Sequence, residues 1–94
     1  MDIIKLDNRH VMKRAGYNYA AKLPYKETIT IGNELIEILN RIHDTRAVFY
    51  RFHKVPWNRY YGPQWGFYQT KKRALWVAVV NEADLTAALL CNNH

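Results

Sequence analysis

The sequence predicts an α+β fold: a small, mostly antiparallel β-sheet with two or three helices packed on one face. Three observations lead there. Short β-branched and aromatic segments follow one another with brief links, the pattern of antiparallel strands. Two segments carry apolar residues at helical spacing. One run, residues 74–80 (ALWVAVV), holds no polar residue, so both of its faces need cover and it belongs at the centre of a sheet. A chain of 94 residues is one domain, 1–94, large enough to bury a core without metal or disulfide support.

Taken in order, residues 2–6 (DIIKL) are short and β-branched and predict a first strand. Asn8 is placed to cap a short helix over residues 9–15, with Gly16 as its stop. Residues 17–23 read as a strand, and Pro24-Tyr25-Lys26 as the turn into residues 27–31 (ETITI), a further strand by its Thr and Ile content. Residues 33–43 (NELIEILNRIH) are the clearest helix: Leu35, Ile38, Leu39 and Ile42 fall on one stripe, and Glu37 and Arg41 form an outward i,i+4 pair.

Residues 47–53 (AVFYRFH) alternate as a strand, and residues 54–64 read as a loop because Pro56, Asn58, Gly62 and Pro63 punctuate them. A hairpin follows, residues 65–69 against 74–80 around Thr70-Lys71-Lys72-Arg73. A four-residue loop there sets Phe67 opposite Trp76 and brings Trp65, Phe67 and Trp76 onto one face. The last helix starts at Asn81, with Asp84 three positions on and Val80 and Leu85 spaced as a hydrophobic staple. Leu85, Ala88 and Leu89 form its buried stripe, and Cys91, in an apolar run, reads as a small buried hydrophobe.

Composition narrows the functional classes. The single cysteine excludes an internal disulfide and any zinc site built on paired cysteines. A free thiol and the lack of a readable leader or membrane-length apolar run fit a cytoplasmic, non-membrane protein. There is no serine for a serine-nucleophile mechanism and no glycine pattern for a phosphate loop. Four histidines (His10, His43, His53 and His94) show no metal-ligand spacing. The expectation is a non-enzyme with no catalytic residue, metal or cofactor.

The net charge of +6 favours a polyanionic partner, and its distribution is more telling than its sum. Residues 46–73 hold seven of the fourteen basic residues, none of the eight acids and nine of the thirteen aromatics. Cations that neutralise phosphate, interleaved with flat rings that stack on bases, are what a single-stranded nucleic acid requires. The candidate contact residues are Arg51, Lys54, Trp57, Arg59, Tyr60, Tyr61, Lys71, Lys72 and Arg73, with Trp57, Tyr60 and Tyr61 stacking. The first functional reading is therefore a binding module for nucleic acid or a ribonucleoprotein. The second is a small protein-interaction module or inhibitor whose aromatic loop docks on an acidic partner surface. The third, a small metal-independent nuclease, needs the histidines to converge. A homodimer through a strand edge or the aromatic loop is consistent with so small a domain.

Overall fold

The structure, a computed structural model, describes residues 2–48 and 59–92. Among these residues five antiparallel strands form one sheet: β1 (Ile3–Lys5), β2 (Tyr19–Leu23), β3 (Arg59–Tyr61), β4 (Trp65–Gln69) and β5 (Leu75–Val79), in the order β1-β2-β5-β4-β3. The all-apolar run takes the central place, as its composition requires. Leu75, Val77 and Val79 join the main core and Ala78 is buried on the opposite face.

Among the described residues four α-helical segments accompany the sheet: α1 (Val11–Arg14), α2 (Tyr25–Glu27), α3 (Asn33–His43) and α4 (Glu82–Asn92). α3 and α4 cover one face. Leu35, Ile36, Ile38 and Leu39 of α3 and Leu85 and Ala88 of α4 meet Ala21, Leu23, Trp65 and Phe67 there. The short α1 lies on the other face, where Met12 packs with Leu6, Tyr17, Ala20 and Ala78. Among the described residues no helix is long and apolar enough to cross a membrane.

Several local expectations are corrected. Residues 27–31 are helical, because α2 passes through a π-helical turn, Thr28–Gly32, directly into α3. The Glu27 and Thr28 amides both donate to the Pro24 carbonyl, and the Thr28 hydroxyl reaches the Leu23 and Pro24 carbonyls. These bonds start the helix at once after Pro24. Gly32 then lets the wide turn press on the sheet: a Cβ there would come within 2.7 Å of Leu75 Cδ2. In α3 the buried stripe includes Ile36, while Ile42 is 44% exposed. α1 is shorter than expected and is preceded by His10 rather than capped by Asn8. Asp7 Oδ1 instead accepts the Arg9 amide at 2.9 Å. Gly16, with φ of +108°, ends that turn as expected.

The β4–β5 hairpin is real, but its register is one residue off the expected one. Gln69 pairs with Leu75, Tyr68 with Trp76 and Phe67 with Val77. The connection closes as Thr70 N–H to Ala74 carbonyl, 2.8 Å, with Arg73 in the left-handed region at φ of 64°. A one-residue slip exchanges the faces of a strand, so Trp76 lies opposite the face that holds Trp65 and Phe67. Within residues 54–64, Arg59–Tyr61 is a strand, last in the order of the sheet among the described residues, rather than loop. Of the strand expected over 47–53, residues 47 and 48 have no regular structure and 49–53 lie outside the described residues. Cys91 is exposed, because the period of α4 turns Leu85 and Ala88 inward and leaves Cys91 outside.

Candidate nucleic-acid interface

Strand pairing assembles a row that no continuous segment contains. Arg59 of β3 stands opposite Tyr68 of β4, Tyr68 opposite Trp76 of β5, and Trp76 opposite Lys22 of β2. Laterally paired residues share a face, so the row reads Arg-Tyr-Trp-Lys across four strands, on the face away from α3 and α4. At ~4.8 Å per strand it spans about 14 Å. Both cations at its ends are exposed, and the two rings between them are partly exposed. The Lys22 ammonium sits 5.4 Å from the Trp76 ring centroid, within cation–π range. The His10 ring meets the same indole at 5.7 Å, tilted 57°.

The adjoining row explains why only part of this face is open. Ala20, Ala78 and Gly66 are its central members, and their small side chains leave a trough. Tyr17 fills part of it and is 2% exposed. Its hydroxyl donates to the Gly62 carbonyl at 2.6 Å and lies 3.2 Å from the Trp65 carbonyl. A Cβ on Gly66 would meet the Tyr60 carbonyl oxygen and come within 2.5 Å of the Tyr17 hydroxyl. Burial, with the nearby Tyr60 and Tyr61 phenols, pushes the Tyr17 hydroxyl up to about 12. Leu6 and Met12 complete the cover. The N-terminal segment thus shields one row of the sheet and leaves the Arg-Tyr-Trp-Lys row at its border.

The expected contact residues separate on this framework. Arg59 is an end of the row. Tyr61 shares its face, 45% exposed, with its ring 6.4 Å from Tyr17. Tyr60 points the other way: its ring lies 5.0 Å from Trp65 and 6.2 Å from Phe67 and helps cover the core. Lys71, Lys72 and Arg73 are exposed at the tip of the β4–β5 hairpin, just beyond Tyr68 and Trp76. Arg73 turns to Tyr25, stacking its guanidinium 5.6 Å from the ring centroid and donating to the phenol oxygen at 3.4 Å. Arg51, Lys54 and Trp57 lie outside the described residues.

Four members of the site were not expected from sequence: Lys22, Tyr68, Trp76 and His10. Lys22 and Trp76 are separated by 54 positions, and only the β2–β5 pairing joins them. The histidines do not converge among the described residues. His10 is on the open face, while His43 lies on the helical side, its Nε2 3.0 Å from Asp84 Oδ2 without the alignment of a hydrogen bond. His53 and His94 lie outside the described residues.

No protein-family model matches the chain, and no curated protein or solved structure matches it either.

Proposed function

We propose that the chain is a binding module for single-stranded nucleic acid, which lies across the sheet along the Arg59-Tyr68-Trp76-Lys22 row. The observation that carries this reading is the row itself: two adjacent rings bracketed by two cations, on one face, in register. Rings stack on unpaired bases irrespective of their identity, and cations at the margins take the phosphates. A duplex hides the faces of its bases, so the rings favour an unpaired strand. A row of about 14 Å accommodates about two nucleotides. Lys71 and Lys72 beyond the row extend the positive border, and the excess of +6 draws a polyanion towards it. The protein-docking reading relied on Trp57, Tyr60 and Tyr61 as exposed anchors; with Tyr60 committed to Trp65 and Phe67, the row supports the nucleic-acid reading better.

The test is fluorescence anisotropy with labelled single-stranded decamers at several salt concentrations. Trp76→Ala should weaken binding about 10- to 100-fold, the loss of one stacking platform, and leave the salt slope as it was. Lys22→Ala with Arg59→Ala should lower that slope by about 1.4, two phosphate contacts at ~0.7 each. Binding indifferent to salt, or a folded Trp76→Ala protein that binds as tightly as wild type, would refute the proposal.

A further inference from the structure

Beside the row, between α1 and the β4–β5 hairpin, is a concavity of about 220 Å³. Val11, Met12 and His10 form one wall, and Tyr68, Thr70 and Trp76 form the other. Resting on the nucleic-acid reading above, we propose that this concavity is a subsite for one unpaired base, turned off the stacking row and held between α1 and the sheet.

Size is the first argument. Sites for drug-sized ligands run to about 300–1,000 Å³, so this one suits a single flat ring rather than a whole cofactor. Continuity is the second. Tyr68 and Trp76 belong to both the row and the concavity, so a strand crossing the row has a base at the mouth without changing course. The walls are the third. An indole and a phenol supply ring faces, and Met12 supplies a polarisable sulfur. Val11 is 45% exposed at the rim, where an entering ring would cover it.

The polar groups are few and already oriented. His10 Nδ1 is engaged by Asp7, 3.1 Å from its amide nitrogen and 3.1 Å from its Oδ1, which leaves Nε2 as the ring nitrogen to meet a ligand. Thr70 Oγ1 accepts the Ala74 amide at 3.2 Å and keeps its own proton to donate. A hydroxyl and an imidazole nitrogen in an apolar slot suit the polar groups on a base edge.

Charge decides which end of the nucleotide enters. Arg9 also lines the concavity, but its guanidinium is committed to Asp7, with Nη2 to Oδ2 at 2.8 Å and Nε to the same oxygen at 3.2 Å. That end is therefore close to neutral and offers a phosphate no uncompensated cation. The cations whose charge the row leaves uncompensated, Lys22 and Arg59, stand at its ends. Phosphates go to the ends, and the neutral base goes to the slot.

Met1 and Met12 are the only methionines, so methyl-13C-methionine labelling gives Met12 as a reporter inside the slot. The labelled protein is titrated with single-stranded decamers of one base each, and anisotropy is followed in parallel. A base in the slot shifts the Met12 methyl resonance upfield by its ring current, and the best and worst decamers differ about tenfold in affinity, as a shaped pocket discriminates. Val11→Trp, which plugs the slot from its exposed rim, brings the decamers to within about twofold of one another with an unchanged salt slope. A Met12 methyl that stays in place at saturation, or a base preference that survives Val11→Trp, overturns the subsite and leaves the stacking row standing. Failure of every decamer to bind overturns both.

Discussion

Replacing Tyr17 by Phe removes one oxygen and keeps the ring. That hydroxyl donates to the Gly62 carbonyl at 2.6 Å from a residue only 2% exposed. The net value of such a bond is about 1 kcal/mol, and a half-buried carbonyl deprived of its donor raises the loss to about 2 kcal/mol. For a chain of this length that lowers Tm by about 5–15 °C at neutral pH.

The alkaline behaviour is the sharper part of the prediction. Burial holds the folded phenol up to about 12, against 10.0 for an ordinary tyrosine. The neutral form is the one the fold prefers, so the contribution of Tyr17 is whole below pH 10 and is lost as pH rises from 10 to 12. One unit of pKa corresponds to about 1.4 kcal/mol, so wild type has lost about that much at pH 11 and about 2–3 kcal/mol by pH 12. The Phe variant cannot lose it. Every other titrating group is common to both proteins and cancels in the difference. The advantage of wild type should therefore shrink above pH 10 and fall to about a third of its neutral value by pH 11. Urea melts of the two proteins in steps from pH 7 to pH 11 measure the difference directly. A gap that stays constant, or that widens with pH, would refute the reasoning.

Gly66→Ala should cost about 3 kcal/mol, because its Cβ meets the Tyr60 carbonyl and the Tyr17 hydroxyl; a thermal melt within a few degrees of wild type would contradict that. Asn40→Ala should cost about 2–3 kcal/mol and speed amide exchange at Ala47. Asn40 Nδ2 donates to the Ala47 carbonyl at 2.8 Å, and its Oδ1 accepts the Thr45 hydroxyl at 2.8 Å and the Ala47 amide at 2.9 Å; unchanged exchange there would sink the prediction. The Asp7 carboxyl, held down to about 2 by hydrogen bonds from the Arg9 side chain and then its amide, should titrate by carbon-13 NMR well below the ordinary 3.8. What it contributes to stability is present above that ordinary value and disappears as pH falls towards 2, a step that Asp7→Asn should lack. A midpoint at the ordinary value would remove the basis for it.

How far the sequence could be read depended on the range of the interactions. α3 was legible over its whole length, Asn33–His43, because Leu35, Ile38 and Leu39 repeat at helical spacing and the core lies under that stripe. The central place of β5 followed from a run with no polar side chain. The π turn was not legible: Thr28, Thr30 and Ile31 have strand propensities, and bonds to the Leu23 and Pro24 carbonyls override them. The hairpin register slipped because Arg73 adopts a left-handed conformation that a glycine would have advertised. That slip hid the site, since it placed Trp76 with Trp65 and Phe67 instead of with Tyr68. Arg59 was found by its charge among aromatics. Lys22 and His10, far away in sequence from residues 46–73, become neighbours of Trp76 only through tertiary structure.

The place of β5 in the sheet also sets a timetable. β2 pairs with it as Tyr19 to Val79 and Leu23 to Leu75, more than fifty residues apart. On the ribosome, β1 and β2 emerge early with one edge unmatched, and α1 has no sheet beneath it to close over. The strand that must lie between β2 and β4 is the last of the five to be made. The closure entropy of that long loop is overcome only when both partners exist. Until then the nascent chain exposes a β-strand edge that invites pairing with other chains, and slow release of residues 75–79 prolongs that interval.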